Sequence, residues 1–106
     1  MSVTLVNVFE VADGRDDEFV RLWQDVTRYV ETQPGFVSAR LHRTITPESR
    51  FRFVNIAEYE SAESFKRIAA SEEFQRRAGT MRDFMAYRGL YVPVSEHVAT
   101  PGATSP

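Results

Sequence analysis

Phe51-Arg52-Phe53-Val54-Asn55-Ile56-Ala57-Glu58-Tyr59 is the stretch on which the fold turns. Its length and its β-branched and aromatic content mark a strand, and Thr46-Pro47-Glu48-Ser49 just before it suits a tight connection. Phe36 to Ile45, on the far side of that connection, reads as a second strand, so the two should pair as an antiparallel hairpin. Pro34-Gly35 separates the hairpin from a helix that begins near Asp16, whose apolar face is Phe19, Leu22, Trp23, Val26, Tyr29 and Val30 at three- and four-residue intervals. Its early acids Asp16, Asp17 and Glu18 suit the positive end of the helix dipole. Before it, Ser2 to Val11 is a β-branched-rich strand closed by Asp13-Gly14.

After Tyr59, Ser61 is placed to cap a helix with Phe65, Ile68 and Ala69 inward. Ser71 is placed to cap a further segment in which Phe74, Ala78, Met81 and Met85 recur at helical spacing, so the second helical region should break near Ser71. Leu90 to Val94 reads as a last short strand, with Pro93 at an edge or an end because it lacks a ladder donor. The order β-α-β-β-α-β predicts an α+β, ferredoxin-like split arrangement in which two helices cover one face of a four-stranded antiparallel sheet. The domain is expected over residues 1–97, and residues 98–106 read as a flexible tail.

The sheet's other face has no helix to cover it, yet the strands carry a second apolar set: Val6 and Val8, Val37, Ala39 and Leu41, and Val54 and Ile56. A half-solvated sheet alternates apolar with polar. Two apolar faces imply a second sheet, most simply that of an identical subunit, giving a homodimeric α+β barrel. A chain of 106 residues also buries a smaller share of its surface than a larger one, which favours an oligomer.

Composition narrows the function. The absence of cysteine removes disulfides, thiolate metal sites and cysteine nucleophiles. A net charge of −2 offers no general attraction to phosphates, so nucleic acid is not an expected partner. No apolar run approaches the roughly 18 residues of a membrane span, and Met1 to Val11 lacks signal-peptide character, so no membrane association and a cytoplasmic location are expected. There is no metal-ligand spacing, glycine-rich phosphate loop or serine elbow.

The informative residues are polar ones that simple alternation places on the helix-covered face: Asn7, Ser38, Arg40 and His42, Asn55 and Tyr59. Buried polar groups cost a few kcal/mol unless paired, so such a cluster points to a cavity that admits a ligand or water. Asn55, an amide amid a buried strand, is the sharpest, with a structural role as the alternative. His42 has the pKa range for proton transfer near neutrality, although a lone histidine is more often structural. Tyr59 can donate or stack, and Trp23 fits the apolar face of its helix. Arg76, Arg77 and Arg82 read as a solvated face, one of which could close a pocket mouth and attract an anion.

Three pieces, Val6-Asn7-Val8-Phe9-Glu10-Val11, Pro34-Gly35-Phe36-Val37-Ser38-Ala39 and Phe53-Val54-Asn55-Ile56-Ala57-Glu58-Tyr59-Glu60-Ser61, resemble the antibiotic biosynthesis monooxygenase (ABM) group of the dimeric α+β barrel superfamily, over roughly residues 2 to 95. For its anthrone-oxidising members the resemblance implies oxygen insertion into a phenolic polyketide with no cofactor and no metal, dioxygen being the co-substrate. It implies Asn55 and His42 as site residues; with Tyr59 these are the expected catalytic set, and Asn7, Arg40, Phe65 and Trp23 are the expected substrate contacts. Tyr59 stands where those enzymes tend to have tryptophan, and Phe65 where a tyrosine occurs. The haem-degrading relatives share an asparagine in the first strand but bind iron through a histidine on the second helix, and residues 61 to 84 contain none. The expected activity is a cofactor-independent monooxygenase, with a non-oxidative polyketide cyclase or a non-catalytic, stress-associated binding dimer as alternatives.

Overall fold

The computed structural model describes residues 1–102, so only part of the tail expected over 98–106 falls within it and 103–106 lie outside the described residues. The chain runs β1 (Val3–Glu10), α1 (Asp16–Val30), β2 (Phe36–Arg43), β3 (Phe53–Tyr59), α2 (Ala62–Ala70), α3 (Glu72–Ala78), a 3-10 turn (Gly79–Met81) and β4 (Met85–Tyr91). All strand pairs are antiparallel, in the order β2-β3-β1-β4. This is the α+β ferredoxin-like arrangement the sequence predicts.

Local chemistry accounts for the element ends. Gly35 adopts φ +93°, and a Cβ there would collide with the Ser64 hydroxyl, so the turn from α1 into β2 needs glycine at this point. Ser61 accepts a hydrogen bond from the Ser64 amide, and Ser71 from the Phe74 amide, so each serine caps one helix and the break at Ser71 is as expected. The Tyr29 hydroxyl donates to Ser71 Oγ at 3.0 Å, tying α1 to that joint.

Two expectations are corrected. The helical reading that ran through Met85 fails, because the helix ends at Ala78 and its 3-10 continuation at Met81. Met85 opens β4, which ends at Tyr91, before Pro93. The second correction concerns β2. Phe36 pairs with Tyr59 but Ser38 pairs with Glu58, so a β-bulge at Val37 inserts one unpaired residue. Because side chains alternate with period two, that residue turns the rest of β2 over. Ala39 and Leu41, opposite Ala57 and Asn55, face the helices, while Ser38, Arg40 and His42 lie on the open face.

The core between sheet and helices is in two parts. One gathers Val3, Leu5, Val30, Ala57, Tyr59 and Ile68; the other joins Phe9, Phe19, Phe53 and Phe84. In the second, Phe19 is fully buried, with its ring 4.8 Å from Phe9, 4.7 Å from Phe53 and 5.2 Å from Phe84. Between the two parts the inward positions of β1 and β3 are Asn7 and Asn55, direct cross-strand partners. The amides interrupt the apolar ladder, and the cavity opens there.

Candidate functional site

A cavity of about 270 Å³ lies between the sheet and the helices. Its size is near the lower end of the roughly 300–1,000 Å³ usual for small-molecule sites. Its floor is the row Asn7 and Asn55 with Leu5 and Ala57, and α1 supplies Trp23, Val26 and Thr27 as one wall. Phe65 from α2 and Phe74 from α3 supply another. Of the residues singled out in the sequence, the structure brings Asn7, Asn55, Tyr59, Trp23 and Phe65 together here.

Asn55 is 9% exposed, and both Asn7 Oδ1 and Asn55 Oδ1 are buried without a hydrogen-bond partner. Native interiors rarely leave such atoms unpaired. Each amide offers an acceptor and two donors, so two of them side by side can both accept from a hydroxyl and donate to an oxyanion. Tyr59 is buried, with Phe36 at 5.6 Å and Phe65 at 5.2 Å, both edge to face, and burial pushes its phenol up to about 12. It stays neutral at physiological pH. Its hydroxyl can therefore donate, and it is no base.

His42 and Arg40, expected on this side, are exposed on the opposite face and line no part of the cavity. The bulge at Val37 is the physical reason. Arg76 and Arg77 are also elsewhere: Arg76 pairs with Glu73, and Arg77 binds Asp25 and Glu73 while lying over the Tyr29 ring. Arg82 does line the cavity, donating from Nε to the Gly79 carbonyl at 3.0 Å. Arg88 of β4 was missed because the strand was read from Leu90; the available signal was the alternation Met85, Tyr87, Gly89, Tyr91 against Ala86, Arg88, Leu90.

A model of antibiotic biosynthesis monooxygenases matches residues 2–78, most of the chain. The chain belongs to the antibiotic biosynthesis monooxygenase family. Among solved structures, SnoaB of Streptomyces nogalater, a cofactor-independent oxygenase, superposes with a TM-score of 0.80 at 29% identity, covering 90% of this chain and 95% of that one. A protein of Shewanella loihica PV-4 (TM-score 0.76, 23% identity, 90% and 96% covered) and Rv0793 of Mycobacterium tuberculosis (0.76, 12%, 92% and 100%) share the fold. No curated sequence matches the chain. The family match spans β1 through α3 and so takes in the amide pair, Tyr59 and Phe65, whereas Arg82 and Arg88 fall beyond it. Among the described residues no helix of this ABM protein is long and apolar enough to cross a membrane.

Proposed function

We propose that this ABM protein is a cofactor-independent monooxygenase for a phenolic aromatic of the anthrone type, working as a symmetric homodimer. The observation that carries the reading is the pair of buried amide oxygens without a partner, Asn7 Oδ1 and Asn55 Oδ1, on the floor of an otherwise largely apolar cavity. The similarity of the whole chain to SnoaB, a cofactor-independent oxygenase, supports the choice of chemistry.

An anthrone carries an acidic methylene flanked by aromatic rings and a carbonyl. Loss of one methylene proton gives an enolate, and the amide N–H groups of Asn55 and Asn7 donate to its oxygen as charge develops there. The Tyr59 hydroxyl donates or stacks, and Trp23 and Phe65 hold the rings between apolar walls. One-electron transfer from the enolate to dioxygen, followed by C–O bond formation and uptake of a proton, gives a hydroperoxide at the former methylene carbon. Loss of water from it leaves a carbonyl, so anthrone plus dioxygen becomes quinone plus water. The substrate is the reductant and dioxygen the oxidant.

Among the described residues no carboxylate or imidazole lines the cavity, which favours this reading over an acid-base cyclase. The substrate's own acidity, strengthened by hydrogen-bond donors, lets solvent water take the methylene proton and later return one to the peroxide, in place of a side-chain base. Homodimerisation rests on the open face, where Val6, Val8, Val54 and Ile56 are flanked by Met85, Tyr87 and Tyr91 of β4.

Oxygen uptake by metal-stripped protein with dithranol, a dihydroxyanthrone, tests the reading against the spontaneous rate. Enhanced uptake that falls on the order of 10²-fold in Asn55→Ala supports it. Equal rates in the variant remove the amide from the mechanism.

A further inference from the structure

The chamber has a neighbour. Where α1 meets β2 there is a recess of about 290 Å³ lined by Trp23, Gln24, Thr27, Arg28, Glu31 and Ala39. Gln24, Arg28 and Glu31, spaced along one side of α1, are exposed and form its mouth. Trp23, Thr27 and Ala39 are half-buried at its back, and the same three line the chamber. A single layer of side chains thus separates the two spaces.

The register sets this septum opposite the other way in. In the order β2-β3-β1-β4, Ala39 stands on one edge strand, while Arg82 and Arg88, exposed where the chamber meets solvent, lie on the side of the other. Ala39 pairs with Ala57, two residues along β3 from Asn55. With strands about 4.8 Å apart and about 3.4 Å per residue, the septum stands roughly 8 Å of backbone from Asn55. Its chemistry is apolar on balance. The Thr27 hydroxyl is spent on the Trp23 carbonyl at 2.9 Å, and what remains beside the indole is methyl groups.

A phenolic aromatic of two or three rings fills a chamber of about 270 Å³ and lies across the way in from the β4 side. Dioxygen must then reach the enolate from elsewhere. It is neutral, apolar and diatomic, so it crosses a methyl-lined wall with no polar group to strip of water. Side chains near a surface change rotamer within nanoseconds, so a wall one layer thick admits such a gas without a permanent opening. We propose that the septum of Trp23, Thr27 and Ala39 is a gas gate: dioxygen enters from the recess between α1 and β2, behind a substrate that enters from the β4 side. This rests on the oxygenase reading and adds the route of its co-substrate.

The test uses 2-naphthol, a neutral, fluorescent phenol that dioxygen quenches on contact, bound to wild type, Ala39→Leu and Ala39→Gly. Extra methylenes in the septum must be displaced at each crossing, so Ala39→Leu is expected to slow dioxygen quenching about fivefold or more. Ala39→Gly is expected to quicken it. A merely structural disturbance would not move the two variants in opposite directions. Acrylamide, polar and larger, is expected to quench the bound naphthol weakly in all three proteins. Equal dioxygen quenching in the three, variants that shift the same way, acrylamide quenching as fast as dioxygen in wild type, or naphthol that does not bind wild type each overturn the proposal. Oxygen uptake on dithranol judges the reading beneath it separately. A protein that oxidises dithranol with the same dependence on dioxygen concentration in all three forms keeps the oxygenase reading and loses the gate. One whose naphthol quenching follows the size of the side chain at position 39 but which leaves dithranol untouched keeps the gate and loses the oxygenase reading.

Discussion

The two faces of the one sheet invert the usual division of labour. The face covered by helices, where an apolar lining is the norm, carries Asn7, Asn55 and Arg88 in a row. The face without helices carries Val6, Val8, Val54 and Ile56 at its centre, with Ile56 40% exposed and Met85 60%. A sheet that needed only to fold would put these sets the other way round. The difference teaches that, on the function proposed above, neither face is finished within one chain: a small molecule would complete one and a second sheet the other.

The largest effect should come from charging the open face. Ile56→Asp leaves the monomer's own core untouched but buries an unpaired carboxylate in each half of a two-fold interface, at a cost of several kcal/mol per ion and roughly 10³-fold or more in dimer dissociation constant. Sedimentation at micromolar concentration should show a dimer for wild type and a monomer for the variant. A wild type that sediments as a monomer breaks the comparison on this side.

On the helix-covered face the sign reverses. Asn55→Leu replaces an amide whose oxygen has no partner by an apolar group of similar size, and should raise stability by about 1–2 kcal/mol in urea denaturation while activity disappears. Loss of stability would mean that the amide is satisfied within the fold and is not held in reserve for a ligand.

The smallest effect sharpens the role of Tyr59. Its phenol titrates near 10 when unfolded and is pushed up to about 12 by burial. A folded pKa above the unfolded one gives a contribution that is complete below pH 10 and disappears as pH rises towards 12. Thermal denaturation of Tyr59→Phe should therefore decline less steeply than wild type across that window. Identical profiles would mean that burial does not shift the Tyr59 phenol.

Much of this was legible in the chain. The hairpin, the paired serine caps at Ser61 and Ser71 and the break between α2 and α3 follow from local residue chemistry. Asn55 stood out because an amide is foreign to a buried strand. What escaped notice did so for two physical reasons. Met85 continued the spacing of Phe74, Ala78 and Met81 closely enough to hide the start of β4, and Arg88 with it. On β2 the alternation was sound, but an extra residue between Phe36 and Ser38 has no compositional signature. Strand parity after a bulge is a property of the pairing and cannot be read from one strand alone.

That bulge lies on β2, at the edge of the sheet, where an unpaired residue disturbs one neighbour and not two. In evolutionary terms it is a hinge between two inventories. Loss of the single codon for Val37 would remove the bulge and keep the pairing, with Ser38 still opposite Glu58 and Ala39 still opposite Ala57. Drawing Val37 into the ladder opposite Glu58 would instead slip the strand by one residue, carrying Ser38, Arg40 and His42 into the chamber and Ala39 and Leu41 out to the open face, which is how a sheet of this kind can acquire an acid-base residue without a substitution in the site itself.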